Sequence, residues 1–157
     1  MLERFRKMFS KPAATLSDDA REFITKLADS YIWILAIGIR GAPVMPSITD
    51  PAAFDVIAAN RIELSEVGDD DSVFPFNYER DGRQMLPFFS NEERASHFLA
   101  HGGLGDISLW QPYRLLAGFV ATPENGMLEL VLDAASPAER RLSHDERLLL
   151  RSLSTVA

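Results

Sequence analysis

The segment Tyr31-Ile-Trp-Ile-Leu-Ala-Ile-Gly-Ile39 constrains the fold more than any other stretch of the chain. β-Branched and aromatic residues fill it almost without a break, a pattern that reads as a strand buried on both faces and therefore central in its sheet. Such a strand needs apolar cover above and below. The chain has 157 residues, 46% of them hydrophobic and 25% charged, which suits one soluble domain with a core large enough to give that cover. The run also falls short of the roughly 20 residues that cross a bilayer, so no integral membrane association is expected.

The flanking segments mix helix and strand signals. Ser17 stands as an N-cap, Asp18 and Asp19 suit the positive end of a helix dipole, and Ala20, Phe23, Ile24 and Leu27 form one apolar face. Gly41, Pro43, Pro46 and Pro51 make a loop, and Ala52 to Ala59 supplies one or two helical turns. Arg61 to Val67 alternates charged and apolar residues, as a strand with one wet face does. Asp81-Gly82 is hairpin turn chemistry, and folding there pairs Tyr78 with Met85, Phe76 with Pro87 and Phe74 with Phe89. Pro75 and Pro87 cannot donate to a ladder, so part of that hairpin belongs at a sheet edge.

Beyond the hairpin, Ser90-Asn-Glu-Glu93 reads as a capping box for a helix running to about His101 and stopping at Gly102-Gly103. Ile107 to Trp110 is a short strand, and Pro112 opens a second helix through Tyr113, Leu115, Leu116 and Phe119. Asn125-Gly126 is a turn and Met127 to Leu132 a strand. Ser143-His-Asp-Glu146 is another capping box, opening a last helix with Leu148, Leu149 and Leu153 inward. The mixture predicts one α+β domain over residues 15–157, with a mixed or antiparallel sheet of about five to six strands and helices packed on it. Residues 1–14 form a separate terminal segment, with Leu2, Phe5, Met8 and Phe9 beside Arg4, Arg6, Lys7 and Lys11. It reads as an amphipathic helix for an anionic membrane or a partner groove, or as a frayed or docked terminal turn.

Charge and composition exclude several functions. Sixteen basic against 23 acidic residues leave a net charge of −7, which argues against nucleic acid as a partner. The absence of cysteine removes disulfides, thiolate zinc sites, iron–sulfur clusters and cysteine nucleophiles, and it fits a reducing compartment. The opening Met1 to Ser10 lacks the apolar core of a signal peptide, so a cytoplasmic location is expected.

Four constellations spell chemistry on paper. Glu93, His97 and His101 recur every four residues, which puts two imidazoles on one helix face as a zinc or nickel site requires. The capping box already claims Glu93, however, and the histidines read as pointing to water. Asp69-Asp70-Asp71 lacks the alternate spacing of a calcium loop and reads as a solvated loop. Gly103-Leu-Gly105 follows a helix and precedes a strand, the reverse of a dinucleotide fingerprint. Ser143-His144-Asp145 sits on consecutive positions whose side chains diverge by about 100°, so it is no triad. Neither catalytic residues, nor a metal, nor a cofactor is expected. Trp110 and Tyr113 flank the Gln111-Pro112 break and are the candidate partner patch, against a reading in which they close the end of the core.

From Asp81 to Leu153 the order of features resembles the SseB N-terminal-like family, named for a bacterial protein linked to enhanced serine sensitivity. The likeness rests on Asp81-Gly-Arg-Gln-Met-Leu-Pro-Phe-Phe-Ser-Asn-Glu-Glu93. It continues through a leucine-rich helix from Tyr113 to Phe119, the apolar Leu128 to Leu132, and a C-terminal helix. Where the family pattern has an Asn-Pro-Gly-like turn, this chain has Asp133-Ala-Ala-Ser-Pro137. The resemblance implies a small bacterial α+β domain without an established enzymatic activity. The leading expectation is thus a non-enzymatic cytoplasmic binding or regulatory module acting through protein contacts. The alternatives are a small-molecule enzyme assembling carboxylates, arginine and histidine from separate segments, and a structural subunit of an assembly; the oligomeric state is not legible.

Overall fold

The computed structural model describes residues 16–44, 51–102, 109–122 and 128–154. The terminal segment 1–14, the Gly103-Leu-Gly105 run, the first half of the expected strand at Ile107 to Trp110, the Asn125-Gly126 turn and Met127 lie outside the described residues. Helix α1 (Asp18–Ala28) starts where its sequence dictates. The Ser17 hydroxyl accepts the Ala20 amide at 3.1 Å, and Ile24 and Leu27 are buried.

Strand β1 (Tyr31–Ile39) is the axis of the sheet. Helix α2 (Ala52–Asn60) leads into β2 (Arg61–Ile62), which pairs antiparallel with the end of β1 at Gly38 and Ile39. On the same edge, β1 pairs antiparallel with β6 (Gln111–Leu116) from Tyr31 to Ala36. On its other edge lie β3 (Ser72–Pro75) and β5 (Arg83–Phe89), both antiparallel to it. Strand β4 (Tyr78–Arg80) pairs with β5, and β5 pairs parallel with β7 (Glu129–Leu132), which carries β8 (Arg140–Arg141). The described residues form one mixed sheet of eight strands, more than the five or six expected, in the α+β class. Gly38 lies between β2 and β3, where an added Cβ would stand 2.8 Å from the Ile62 carbonyl oxygen. That close approach explains why a glycine interrupts the apolar run.

Alternation along the strands divides the core into two layers. Ile32, Ile34, Leu86, Phe88, Leu130 and Leu132 face one way, against α1, the 3₁₀ turn Ala117–Ala121 and the last helix α4 (His144–Leu153). Leu35, Met85, Phe89 and Val131 face the other way, against Ala95 and Phe98 of α3 (Glu92–His101). The central strand is therefore covered on both sides, as its composition requires. Trp33 is only partly buried, packed against the second layer.

Several elements depart from the sequence reading, each for a physical reason. The hairpin turn forms with positive φ at Asp81 (54°) and Gly82 (77°), and Tyr78 does oppose Met85. Phe76 and Phe74 do not oppose Pro87 and Phe89. Two missing donors, at Pro75 and Pro87, fall where a continuous ladder would run. The chain instead reverses at Phe76-Asn77, so that β3 runs beside β1 and β4 beside β5, while Phe88 and Phe89 pair with Ile34 and Trp33. The sheet is forked there: among the described strands β3, which holds Pro75, and β4 each have one neighbour and so form the expected edge, whereas Pro87 lies in the interior strand β5.

The segment 61–67 pairs over two residues only and then turns as a 3₁₀ helix at Leu64–Glu66. Its further path along β1 is occupied by β6, whose Gln111 opposes Ala36. The expected helix from Pro112 is that strand β6, because the open edge of β1 supplies backbone partners that outweigh local helix preference. A proline is tolerated there, since β6 has no second neighbour among the described strands. Helix α3 is capped by Asn91, whose side chain accepts the Arg94 amide at 2.9 Å, not by Ser90. The second capping box forms as read, but the inner face of α4 is Glu146 and Leu150 with Leu149 alongside, and Leu153 is exposed.

Candidate functional site

The buried charges among the described residues are Asp133 and Glu146, and both are structural. Asp133 follows β7 with φ at 52°, and its amide donates to the Phe88 carbonyl at 2.7 Å. Its carboxylate accepts the Ser90 amide at 2.8 Å, the Ser90 hydroxyl, and the Arg94 guanidinium at 2.5 Å. Those bonds tie the ends of β5 and β7 to α3. Glu146 accepts from Arg140 at 2.5 Å and from the Ser143 amide at 2.9 Å, and the Arg140 guanidinium lies 3.8 Å over the Phe23 ring. In the acidic loop, Asp71 accepts the amides of Gly41 and Gly68 at 2.8 and 3.0 Å. Those two bonds, Gly41 first, hold its carboxyl below the usual carboxylate range. This aspartate closes loops onto each other.

His97 and His101 lie exposed on α3 with ring centroids 4.7 Å apart. Because Asn91 is the cap, Glu93 is not engaged in a capping box as the sequence suggested. No group of three or more His, Cys, Asp or Glu that could hold a metal ion occurs among the described residues.

Trp110 and Tyr113 are placed on opposite sides of the sheet. Trp110 packs edge-on against Phe76, centroids 5.1 Å apart, in the layer under α3. Tyr113 points into the other layer and, with Leu115, walls an open groove of 320 Å³. Ile34 and Leu86 form the floor of this groove, Val73 and Pro75 of the forked strand one side, and Phe119 its rim. The strand period of β6 puts Tyr113 and Leu115 on the same face, and the fork leaves β3 to complete the concavity. Ile34 and Leu86 are buried, whereas Phe119 is 41% exposed. Reading residues 112–119 as a helix hid this arrangement; the usable signal was the apolar alternation of Tyr113 and Leu115.

Two other concave surfaces are polar. One of 380 Å³ holds Tyr78, Arg80, Phe98, Ser136 and Glu139, with Arg80 paired to Glu139 at 3.3 Å. Burial, and then the Glu139 charge, push the Tyr78 hydroxyl above its ordinary pKa. The other, of 430 Å³, is lined by Arg83, Arg141, Arg147 and His144, with Glu129 bridging Arg83 at 2.6 Å and Arg141 at 3.2 Å. Glu129 thus pairs two of the three arginines, and Arg147 donates to the Leu128 carbonyl oxygen. Among the described residues, by contrast, the groove lining carries no ionisable side chain besides the Tyr113 phenol. No known protein family, no curated protein and no solved structure matches the chain.

Proposed function

We propose that this chain is a non-enzymatic binding module that takes apolar side chains of a partner protein into the groove between β6, β3 and the Ala117–Ala121 turn. The observation that carries the reading is the lining itself: a concave apolar surface with a half-exposed phenylalanine at its rim and a buried floor. Exposed aromatic anchors beside a desolvated apolar floor are what protein interfaces concentrate their binding energy on. Membership of the SseB N-terminal-like family is part of the same proposal and rests on the Asp81 to Glu93 segment, since Tyr113 to Leu116 is a strand where the resemblance implies a helix. A cytoplasmic setting belongs to the same reading, because a chain without cysteine suits a reducing compartment.

A photo-crosslinking amino acid in place of Phe119, compared with one in place of exposed Arg21 on α1, tests the reading in cells. A discrete protein adduct is expected from position 119, lost when Leu115 is also changed to Asp, and absent from position 21. Adducts of equal yield from both positions, or none from position 119, would remove the groove as the docking surface.

A further inference from the structure

We propose that His97 and His101 form a two-histidine site for a divalent transition ion of the Cu²⁺, Ni²⁺ and Zn²⁺ class on the outer face of α3. The helix that presents them is well defined at both ends. Asn91 caps its start, and the Gly102 amide donates to the Phe98 carbonyl at 2.8 Å. Ala95 and Phe98, 0% and 2% exposed, anchor the opposite face in the core and so fix which way positions 97 and 101 point. Spacing by four brings the two side chains one above the other. Their rings are already in contact, centroids 4.7 Å apart and planes inclined by 43°.

Two nitrogens bound about 2.0–2.1 Å from one tetrahedral ion stand about 3.3 Å apart, which rotation of two exposed imidazoles can reach. Imidazole is the ligand these borderline ions prefer, and water completes the coordination of a surface site. Arg94, three residues before His97 and seven before His101, shares their face of the helix, but its guanidinium is paired with Asp133 at 2.5 Å, and Glu92 and Glu93 add negative charge to the exposed first turn.

Calorimetric titration of Ni²⁺ into the untagged full chain is the test, made easy by a sequence with three histidines and no cysteine. One equivalent is expected to bind. His97→Gln and His101→Gln should each weaken binding by at least about tenfold, and the double variant hardly further, since chelation needs both rings. His144→Gln on α4 serves as the control and should leave binding unchanged. Far-UV circular dichroism should be the same for the parent and all four variants, because the three side chains are exposed. Either single variant binding within twofold of the parent would overturn the site. So would an equal loss in His144→Gln, or no binding by the parent.

Discussion

Replacing Phe88 with alanine is expected to lower the unfolding free energy by about 3–5 kcal/mol, the usual range for removing a fully buried aromatic ring. Phe88 has no exposed surface, and its strand is bonded on both sides, opposite Ile34 of β1 and Leu132 of β7. Its ring enters the layer closed by α1 and α4, while Phe89 next to it enters the layer closed by α3. One dipeptide thus supports both halves of the core. For a domain of this size the loss should appear as a fall in melting temperature of about 2–4 °C per kcal/mol. In urea the midpoint should drop with the slope unchanged. Phe88→Leu, which keeps most of the volume, should cost about 1.5 kcal/mol or less. A Phe88→Ala loss as small as that of the leucine variant would show that the ring is not held between these layers.

Asp133→Ala is expected to cost about 2–4 kcal/mol, because a buried carboxylate that accepts charge-assisted and backbone hydrogen bonds is removed at once. The Ser90 amide loses its acceptor, Arg94 loses its partner, and alanine must adopt the left-handed backbone that aspartate tolerates better. Asp133→Asn separates these contributions: it keeps the shape, one acceptor and the backbone tolerance, and should cost about half as much. Equal losses in the two variants would place the whole effect in the charge. An alanine loss below about 0.5 kcal/mol would show that the β5–β7–α3 tie is dispensable. Thermal unfolding monitored by circular dichroism reads both.

What the sequence conveyed well is what local chemistry determines. The capped starts at Ser17 and Ser143, the Asp81-Gly82 turn and the doubly buried Tyr31 to Ile39 all depend on neighbours in the chain, and all stand in the structure. The failures lie where distant partners decide. Pro112 to Leu116 carries a tolerable helix signal, but the vacant edge of β1 recruits it as a strand. Arg61 to Val67 alternates as a strand should, yet that same recruitment leaves it two residues of partner. Ser90 has the letters of a cap, but Asp133, more than forty residues on, claims both its amide and its hydroxyl. The groove was illegible for the same reason. Ile34, Leu86, Val73 and Leu115 meet only after the sheet is ordered, and Tyr113 was legible as an aromatic without the face it would occupy.

The functional account stands on β6 lying against β1 with Tyr113 opposite Ile34, since a one-residue slip from that register would turn Tyr113 and Leu115 away from the groove. The cysteine-free chain allows a direct measurement of it. Trp33 and Arg114 are cross-strand partners, and a disulfide needs Cα atoms roughly 4.4–6.8 Å apart with side chains on one face. The Trp33→Cys, Arg114→Cys pair should therefore oxidise to an intramolecular disulfide in the folded protein. The Trp33→Cys, Leu115→Cys pair, shifted by one residue to opposite faces, should remain reduced under the same conditions. A reduced first pair, or a second pair that closes as readily, would contradict the placement of β6 and with it the groove.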